Sequence, residues 1–158
     1  MPVINVATED ELSEAVACRL VQTLPNFQVG LRLRKGGSGY LRSSLSKFRQ
    51  MAGREHVLLL TDLDTGNCAP QLIDSWRGED ELPPQLIMRV AVREVESWIL
   101  ADRAGFSSLL GINRAVITRN PDDLPNPKAY LPNVARRAQR SVRSELIAAR
   151  GTTASQGL

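Results

Sequence analysis

The sequence is poor in histidine, cysteine and aromatic residues, and each shortage excludes a class of site. His56 is the only histidine among 158 residues, which excludes His-based catalytic triads and zinc sites built on several histidines. Cys18 and Cys68 lack the CxxC spacing of zinc or redox sites, and we expect both to be reduced thiols. Aromatic residues make up 4% of the chain, too few for a ladder of rings stacked on single-stranded bases.

Long apolar runs are also missing. No stretch of about 18 consecutive apolar residues is present, and the first residues lack a basic segment followed by a long apolar one. We therefore expect no membrane span, no signal peptide and a cytoplasmic location. With 42% hydrophobic residues the chain can form one core, so residues 1–150 are predicted to be a single domain and residues 151–158 a flexible tail.

Four short apolar runs alternate with helical patterns along the chain. They cover residues 3–8, 27–33, 57–61 and 86–92 and predict β-strands, the second half-exposed and near an edge. The alternation is typical of an α/β fold. We predict an open, mostly parallel sheet of about four strands with helices on both faces, and an extra basic helix at the C-terminal end.

Three further elements are predicted from local patterns. One helix is expected over about residues 41–51, and another is expected to begin near Arg93 with Glu94 and Glu96 in its first turn. The stretch from Pro121 to Pro132 contains four prolines and is predicted to resist regular structure.

Acidic side chains follow several of the predicted strands. Asp62 and Asp64 come after the third, Glu9 after the first, and Glu94 or Glu96 after the fourth. The crevice beyond strand ends is where ligands bind in open α/β sheets, and carboxylates gathered there repel one another unless a cation or proton joins them. The pattern favours a Mg²⁺ or Mn²⁺ site able to support phosphoryl transfer. Helix capping and solvated loop acids are the alternative.

Positive charge is concentrated in two segments. Residues 128–150 hold six basic residues and one acid, a local balance of +5 in a chain of net charge +3, which favours a nucleic-acid partner through Arg136, Arg137 and Arg140. The solvated face of an amphipathic helix is the alternative. Arg34 and Lys35 precede a glycine-rich loop that could contact a phosphodiester backbone, although it lacks the Walker A order. A mobile surface loop is the alternative there.

Several of these residues resemble a known family. Glu9 after the first strand, followed by an apolar run that ends in Asp62-Leu63-Asp64, resembles the Toprim domain of topoisomerases, primases and overcoming-lysogenization-defect nucleases. Two later segments are similar to an uncharacterised bacterial branch of Toprim-like proteins discussed with phage-defence nucleases: Glu96-Ser97-Trp98-Ile99-Leu100-Ala101-Asp102 and Asn126-Pro127-Lys128. The resemblance spans most of residues 3–131.

The resemblance implies a Mg²⁺- or Mn²⁺-dependent phosphodiesterase or nuclease acting on nucleic acid, in phage defence or a mobile element. Glu9 would be a metal ligand or general base, Asp62 and Asp64 the metal-binding pair, and Glu96 would complete the site, with Glu94 as the neighbouring candidate. Lys128 would lie near the scissile phosphate. A partner ATPase or a second copy of the chain is the expected protein partner.

Two alternatives stay open. The first is a non-catalytic module that binds nucleic acid or protein on the same fold. The second follows from Asp62-Leu63-Asp64-Thr65, which is similar to the motif of haloacid-dehalogenase phosphatases. There the first aspartate would be a nucleophile and the second a general acid.

Overall fold

The computed structural model describes residues 1–138. Over this range the chain forms four strands: β1 (Val3–Thr8), β2 (Gln28–Leu33), β3 (His56–Asp62) and β4 (Leu86–Ala91). Its α-helices are α1 (Glu11–Gln22), α2 (Gly37–Ser43), α3 (Leu45–Ala52), α4 (Ala69–Arg77), α5 (Val95–Ala101), α6 (Arg103–Leu110) and α7 (Pro127–Ala135). The predicted tail, Arg140 and the part of the basic helix beyond residue 138 lie outside the described residues.

The chain divides into two compact units, with the boundary between Val95 and Glu96. The first unit contains the whole sheet and the first four helices, and the second contains α6 and α7. The single domain expected over residues 1–150 stays a prediction. No helix within residues 1–138 is long and apolar enough to cross a membrane.

The four strands form one parallel sheet in the order β2-β1-β3-β4. The predicted α/β fold with an open sheet of about four strands is therefore confirmed. The register pairs Thr8 with Leu60 on one side of β3 and Asp62 with Ala91 on the other. Because parallel strands end at the same edge, the chain segments that follow β1, β3 and β4 leave the sheet side by side.

Helices cover both faces of the sheet, as predicted. One core cluster joins the sheet to α2 and α3, and its buried residues are Ala7, Leu41, Leu45, Phe48, Ala52, Val57, Leu59, Leu86 and Met88. The other joins the sheet to α1 and the start of α5, and its buried residues are Ile4, Val6, Ala17, Cys18, Val21, Leu60, Ala91 and Val95. β3 lies between both clusters, which explains its continuous apolar run.

A buried asparagine interrupts the apolar side chains of β1. The Oδ1 atom of Asn5 accepts a hydrogen bond from the Leu31 N–H at 2.8 Å, and its Nδ2 donates to Glu55 Oε2 at 2.6 Å. The register of β1 with β2 shifts here, so a side-chain oxygen satisfies a backbone donor of β2. A Cβ at Gly30 would overlap Val3 Cγ1 and Asn5 Oδ1, so only glycine fits at this position.

The helix predicted over residues 41–51 is wrong in its bounds. It begins four residues earlier, at Gly37, because Gly36 and Gly37 adopt φ values of 81° and 79° that glycine reaches without strain. At Ser44, with φ −95° and ψ 3°, the helix bends and divides into α2 and α3. Leu41 and Phe48, one on each side of the bend, both face the sheet.

The prediction that the stretch from Pro121 to Pro132 resists regular structure is wrong, because Pro121–Asp123 form a 3-10 helix and a longer helix follows. Helix α7 begins at Pro127, where the missing N–H of proline costs no helical hydrogen bond. Asn126 Oδ1 caps the helix by accepting the Ala129 N–H at 2.7 Å. The second unit has a core of its own, formed by Leu100, Leu110, Ile117, Val134 and Ala138.

Candidate functional site

Glu9 follows β1 and is tied to the end of β3. Its Oε1 atom accepts a hydrogen bond from the Asp62 backbone N–H at 2.9 Å and a second one from the Thr61 hydroxyl. Both donors belong to β3, so the carboxylate bridges the two central strands at their carboxyl ends. Both bonds use the same oxygen, and no described residue donates a hydrogen bond to Glu9 Oε2. One half of the carboxylate is fixed, and the other can meet solvent or a ligand.

Asp62 is the last residue of β3 and is 4% exposed. Its Oδ1 atom accepts the Val95 N–H at 2.9 Å, and Val95 is the first residue of α5. A carboxylate is favourable here because the first N–H groups of a helix lack intrahelical acceptors and carry partial positive charge. Helix capping is the alternative explanation for acids after strands, and it explains the position of Asp62 Oδ1.

Asp64 and Arg93 face each other just beyond the ends of β3 and β4. The Asp64 N–H donates to the Arg93 carbonyl at 2.8 Å, and Arg93 Nη1 lies 3.4 Å from the Asp64 carbonyl oxygen. Their φ values of 50° and 61° are the only positive ones among non-glycine residues in the described chain. Such backbone costs of order 1–3 kcal/mol per residue and is concentrated at functional sites.

The glycine loop before α2 lies beside Glu9. The Gly37 N–H donates to the Glu9 carbonyl oxygen at 3.1 Å, which brings the segment after β2 to the same edge of the sheet. Arg34 forms an ion pair with Glu14 at 3.1 Å, so its charge is partly compensated. The Lys35 ammonium lies 6.0 Å from the centre of the Tyr40 ring and is exposed. Arg34 and Lys35 are the two cations predicted to contact nucleic acid here, and of the two only Arg34 forms an ion pair with a described residue.

The predicted metal ligands can be tested against what a divalent ion requires. Within residues 1–138, no three side chains of His, Cys, Asp or Glu are grouped closely enough to hold a metal ion. Glu9, Asp62 and Asp64 therefore do not form a complete protein cage. Mg²⁺ is often held by one or two carboxylates, with water and substrate phosphate oxygens filling its other positions. Glu9 and Asp62 lie at the same edge of the sheet, where Glu9 accepts the Asp62 backbone N–H, and they are the candidates for this smaller requirement.

Glu94 and Glu96 lie on either side of the first residue of α5. The helix begins at Val95, where Asp62 caps it, so the prediction that both glutamates occupy its first turn is wrong for Glu94. Glu94 belongs to the first unit and is half-buried. Glu96 belongs to the second unit and is 5% exposed.

The remaining predicted residues belong to the second unit. Lys128 is the second residue of α7 and is exposed. Arg136 is the C-cap residue of α7, and Arg137 follows it; both are exposed. All three basic side chains therefore lie on the surface, where a polyanion can contact them.

Two residues of the strand-end site were missed by sequence reasoning. Thr61 is 1% exposed, and its hydroxyl donates a hydrogen bond to Glu9. The sequence feature that could have indicated this residue is a threonine directly before the first aspartate of the pair. The sequence indicates Arg93 only as the start of a helix, and no sequence pattern indicates its positive φ.

An open groove of about 470 Å³ lies elsewhere in the first unit. It is lined by Pro70, Ile73, Asp74, Arg77, Glu81 and Leu82. Arg77 and Asp74 form an ion pair across one turn of α4 at 2.9 Å. The lining includes none of the residues predicted for the site.

Comparisons of the chain with protein-family models, with curated proteins and with solved structures each found no match. The Toprim resemblance therefore stays a prediction.

Proposed function

We propose that this protein is a Mg²⁺- or Mn²⁺-dependent phosphodiesterase that cleaves nucleic acid on a Toprim-like fold. The observation that carries the proposal is the bond between two strand ends: Glu9, after β1, accepts the N–H of Asp62, the last residue of β3. Ligands of open parallel sheets bind at this edge. Carboxylates held there are the oxygen donors that hard divalent cations prefer.

Glu9 and Asp62 would hold the metal. When bound, the ion would neutralise charge on the phosphate oxygens and lower the pKa of a bound water. The protein's own part is orientation: Thr61 and the Asp62 N–H fix Oε1 of Glu9, and the Val95 N–H fixes Oδ1 of Asp62. Glu9 Oε2, the oxygen that accepts neither of these bonds, would then bind the metal or accept a proton from an attacking water.

Cations in both units support a polyanionic substrate. Lys35 is exposed next to the loop that contacts Glu9, and Lys128, Arg136 and Arg137 are exposed in the second unit. Such residues supply sequence-independent attraction to phosphates. A cytoplasmic location is part of the proposal, because Cys18 and Cys68 are both free thiols.

Cleavage assays with conservative variants test the proposal. Plasmid DNA, single-stranded DNA and RNA are incubated with the parent, Glu9→Gln and Asp62→Asn in Mg²⁺, Mn²⁺ or EDTA. Each variant keeps an oxygen for the hydrogen bonds seen here, so both should fold. We expect cleavage to need metal and to fall on the order of 10²–10⁴-fold in each variant.

Asp74→Asn is the matched control, because Asp74 is an exposed acid of α4 that pairs with Arg77 at the surface. It should cleave at the parental rate. Parental cleavage rates in Glu9→Gln and Asp62→Asn, with Mn²⁺ present, would refute the proposal.

A non-catalytic binding module is the second candidate. It is favoured by the fact that Glu9 Oε1 and Asp62 Oδ1 already accept protein hydrogen bonds, as purely structural carboxylates do. Calorimetric titration with Mn²⁺ separates the two candidates, since a module that binds nucleic acid without binding Mn²⁺ would favour this one. The phosphatase alternative, with Asp62 as the nucleophile, stays a prediction.

A further inference from the structure

Arg93 lies at the carboxyl end of β4, directly beside the loop that carries Asp64. The hydrogen-bond ladder between β3 and β4 continues past both strands. The Leu63 N–H donates to the Ala91 carbonyl at 2.9 Å, and the Asp64 N–H donates to the Arg93 carbonyl at 2.8 Å. Arg93 is therefore fixed through its backbone at the same edge of the sheet as Asp62.

The backbone of Arg93 is in a conformation that disfavours arginine. Its φ of 61° lies in the left-handed region, where a Cβ crowds the following carbonyl. Glycine reaches this region without that penalty, yet the sequence has arginine. An arginine held in such a conformation at a strand end indicates that its side chain has a use there.

The guanidinium of Arg93 is only weakly engaged by protein. It is exposed, and its hydrogen bond from Nη1 to the Asp64 carbonyl is long, at 3.4 Å. Among residues 1–138 no carboxylate forms an ion pair with it, whereas Arg34, Arg49 and Arg77 each pair with an acid. A guanidinium has five N–H donors in a planar fork that matches two phosphate oxygens. Most of these donors therefore point to solvent or to a ligand.

We propose that Arg93 binds a phosphate of the nucleic-acid strand that lies over the Glu9–Asp62 edge. This inference rests on the proposed function and adds a substrate contact to it. The Arg93 cation offsets the negative charge of neighbouring carboxylates, which would otherwise repel a phosphodiester approaching this edge. The contact is to the backbone of the strand, so it strengthens binding equally for different base sequences.

The test compares Arg93→Gly with Arg93→Lys and with Arg54→Gly. Arg54 is an exposed arginine in the connection between α3 and the amino end of β3, at the opposite edge of the sheet. Its substitution removes the same charge away from the proposed contact. Binding of a fluorescein-labelled 30-base-pair DNA duplex and a 30-nucleotide RNA is measured by anisotropy in Ca²⁺ between 50 and 200 mM KCl, with Tm measured in parallel.

We expect Arg93→Gly to weaken binding on the order of tenfold and to lower the salt slope of log K by about 0.9 on duplex DNA. Its Tm should be equal to or above that of the parent, because glycine relieves the positive φ. Arg93→Lys, which keeps the charge and loses the fork, should lie between Arg93→Gly and the parent. Arg54→Gly should change affinity less than twofold.

Two results would overturn the inference. If Arg93→Gly binds like Arg54→Gly with an unchanged salt slope, while Glu9→Gln still abolishes cleavage, Arg93 is not a phosphate contact and the proposed function survives. A lower Tm of Arg93→Gly with parental affinity would assign Arg93 a structural role instead. If the parent binds neither DNA nor RNA, both proposals are refuted together.

Discussion

The hydroxyl of Thr61 is predicted to hold the Glu9 carboxylate in place. Thr61→Val keeps the side-chain shape and removes the donor, which leaves the Asp62 N–H as the remaining protein donor to Glu9 Oε1. Thr61 is 1% exposed, so water has little access to the position of the lost hydroxyl. Hydrogen bonds to charged groups contribute about 1.5–3 kcal/mol. We expect the free energy of unfolding to fall by about that amount.

Thr61→Ser is the matched control for this substitution. Serine keeps the hydroxyl and loses one methyl group, which costs about 0.8 kcal/mol if the methyl is fully buried. Serine should therefore be more stable than valine at this position, although valine is the more hydrophobic side chain. The opposite order would mean that packing, and not the bond to Glu9, determines the preference for threonine.

A double-mutant cycle measures the bond itself. Urea unfolding of the parent, Thr61→Val, Glu9→Ala and the double variant gives the coupling free energy between the two side chains. We expect a coupling of about 1–2 kcal/mol, since part of the loss in each single variant comes from other contacts. A coupling below about 0.5 kcal/mol, the level at which independent sites add, would refute the reasoning.

Two further predictions concern the scaffold of the first unit. Gly30→Ala should lower the free energy of unfolding by about 1–3 kcal/mol in urea titration, because the new Cβ would overlap Val3. Gly39→Ala is the control, because there is open space around Gly39, and it should be neutral or stabilising. Arg49→Met should cost about 1 kcal/mol in the same assay, because Arg49 donates to the Arg77 carbonyl at the end of α4. Unchanged unfolding midpoints would contradict either prediction.

The sheet and its carboxyl edge were predictable because they depend on local patterns. β3 is buried on both faces, and a strand buried on both faces has a continuous run of apolar residues that can be recognised in the sequence. Once the strands are parallel, residues that follow them must share an edge. That step alone placed Glu9 near Asp62, a contact confirmed by the bond from the Asp62 N–H.

The details of the site were not predictable because they depend on tertiary geometry. The start of α5 is fixed by Asp62, a residue 33 positions earlier, so no local pattern could place it at Val95. The positive φ of Arg93 is likewise imposed by the ladder to Asp64. Arginine carries no signal for this conformation, whereas Gly36 and Gly37 do carry one.

Capping and metal binding are compatible roles for the same carboxylates. A carboxylate has two oxygens and about four lone-pair positions, so accepting a protein hydrogen bond, as Glu9 Oε1 and Asp62 Oδ1 do, does not by itself exclude a cation. Alanine variants remove both roles at once, so loss of activity in them reports unfolding and lost chemistry together. Asp62→Asn keeps an acceptor for the Val95 N–H and removes the charge that a cation needs. If capping were the only role of Asp62, Asp62→Asn would retain both the stability and the activity of the parent. If Asp62 binds a metal ion, the same variant would retain the stability and lose the activity.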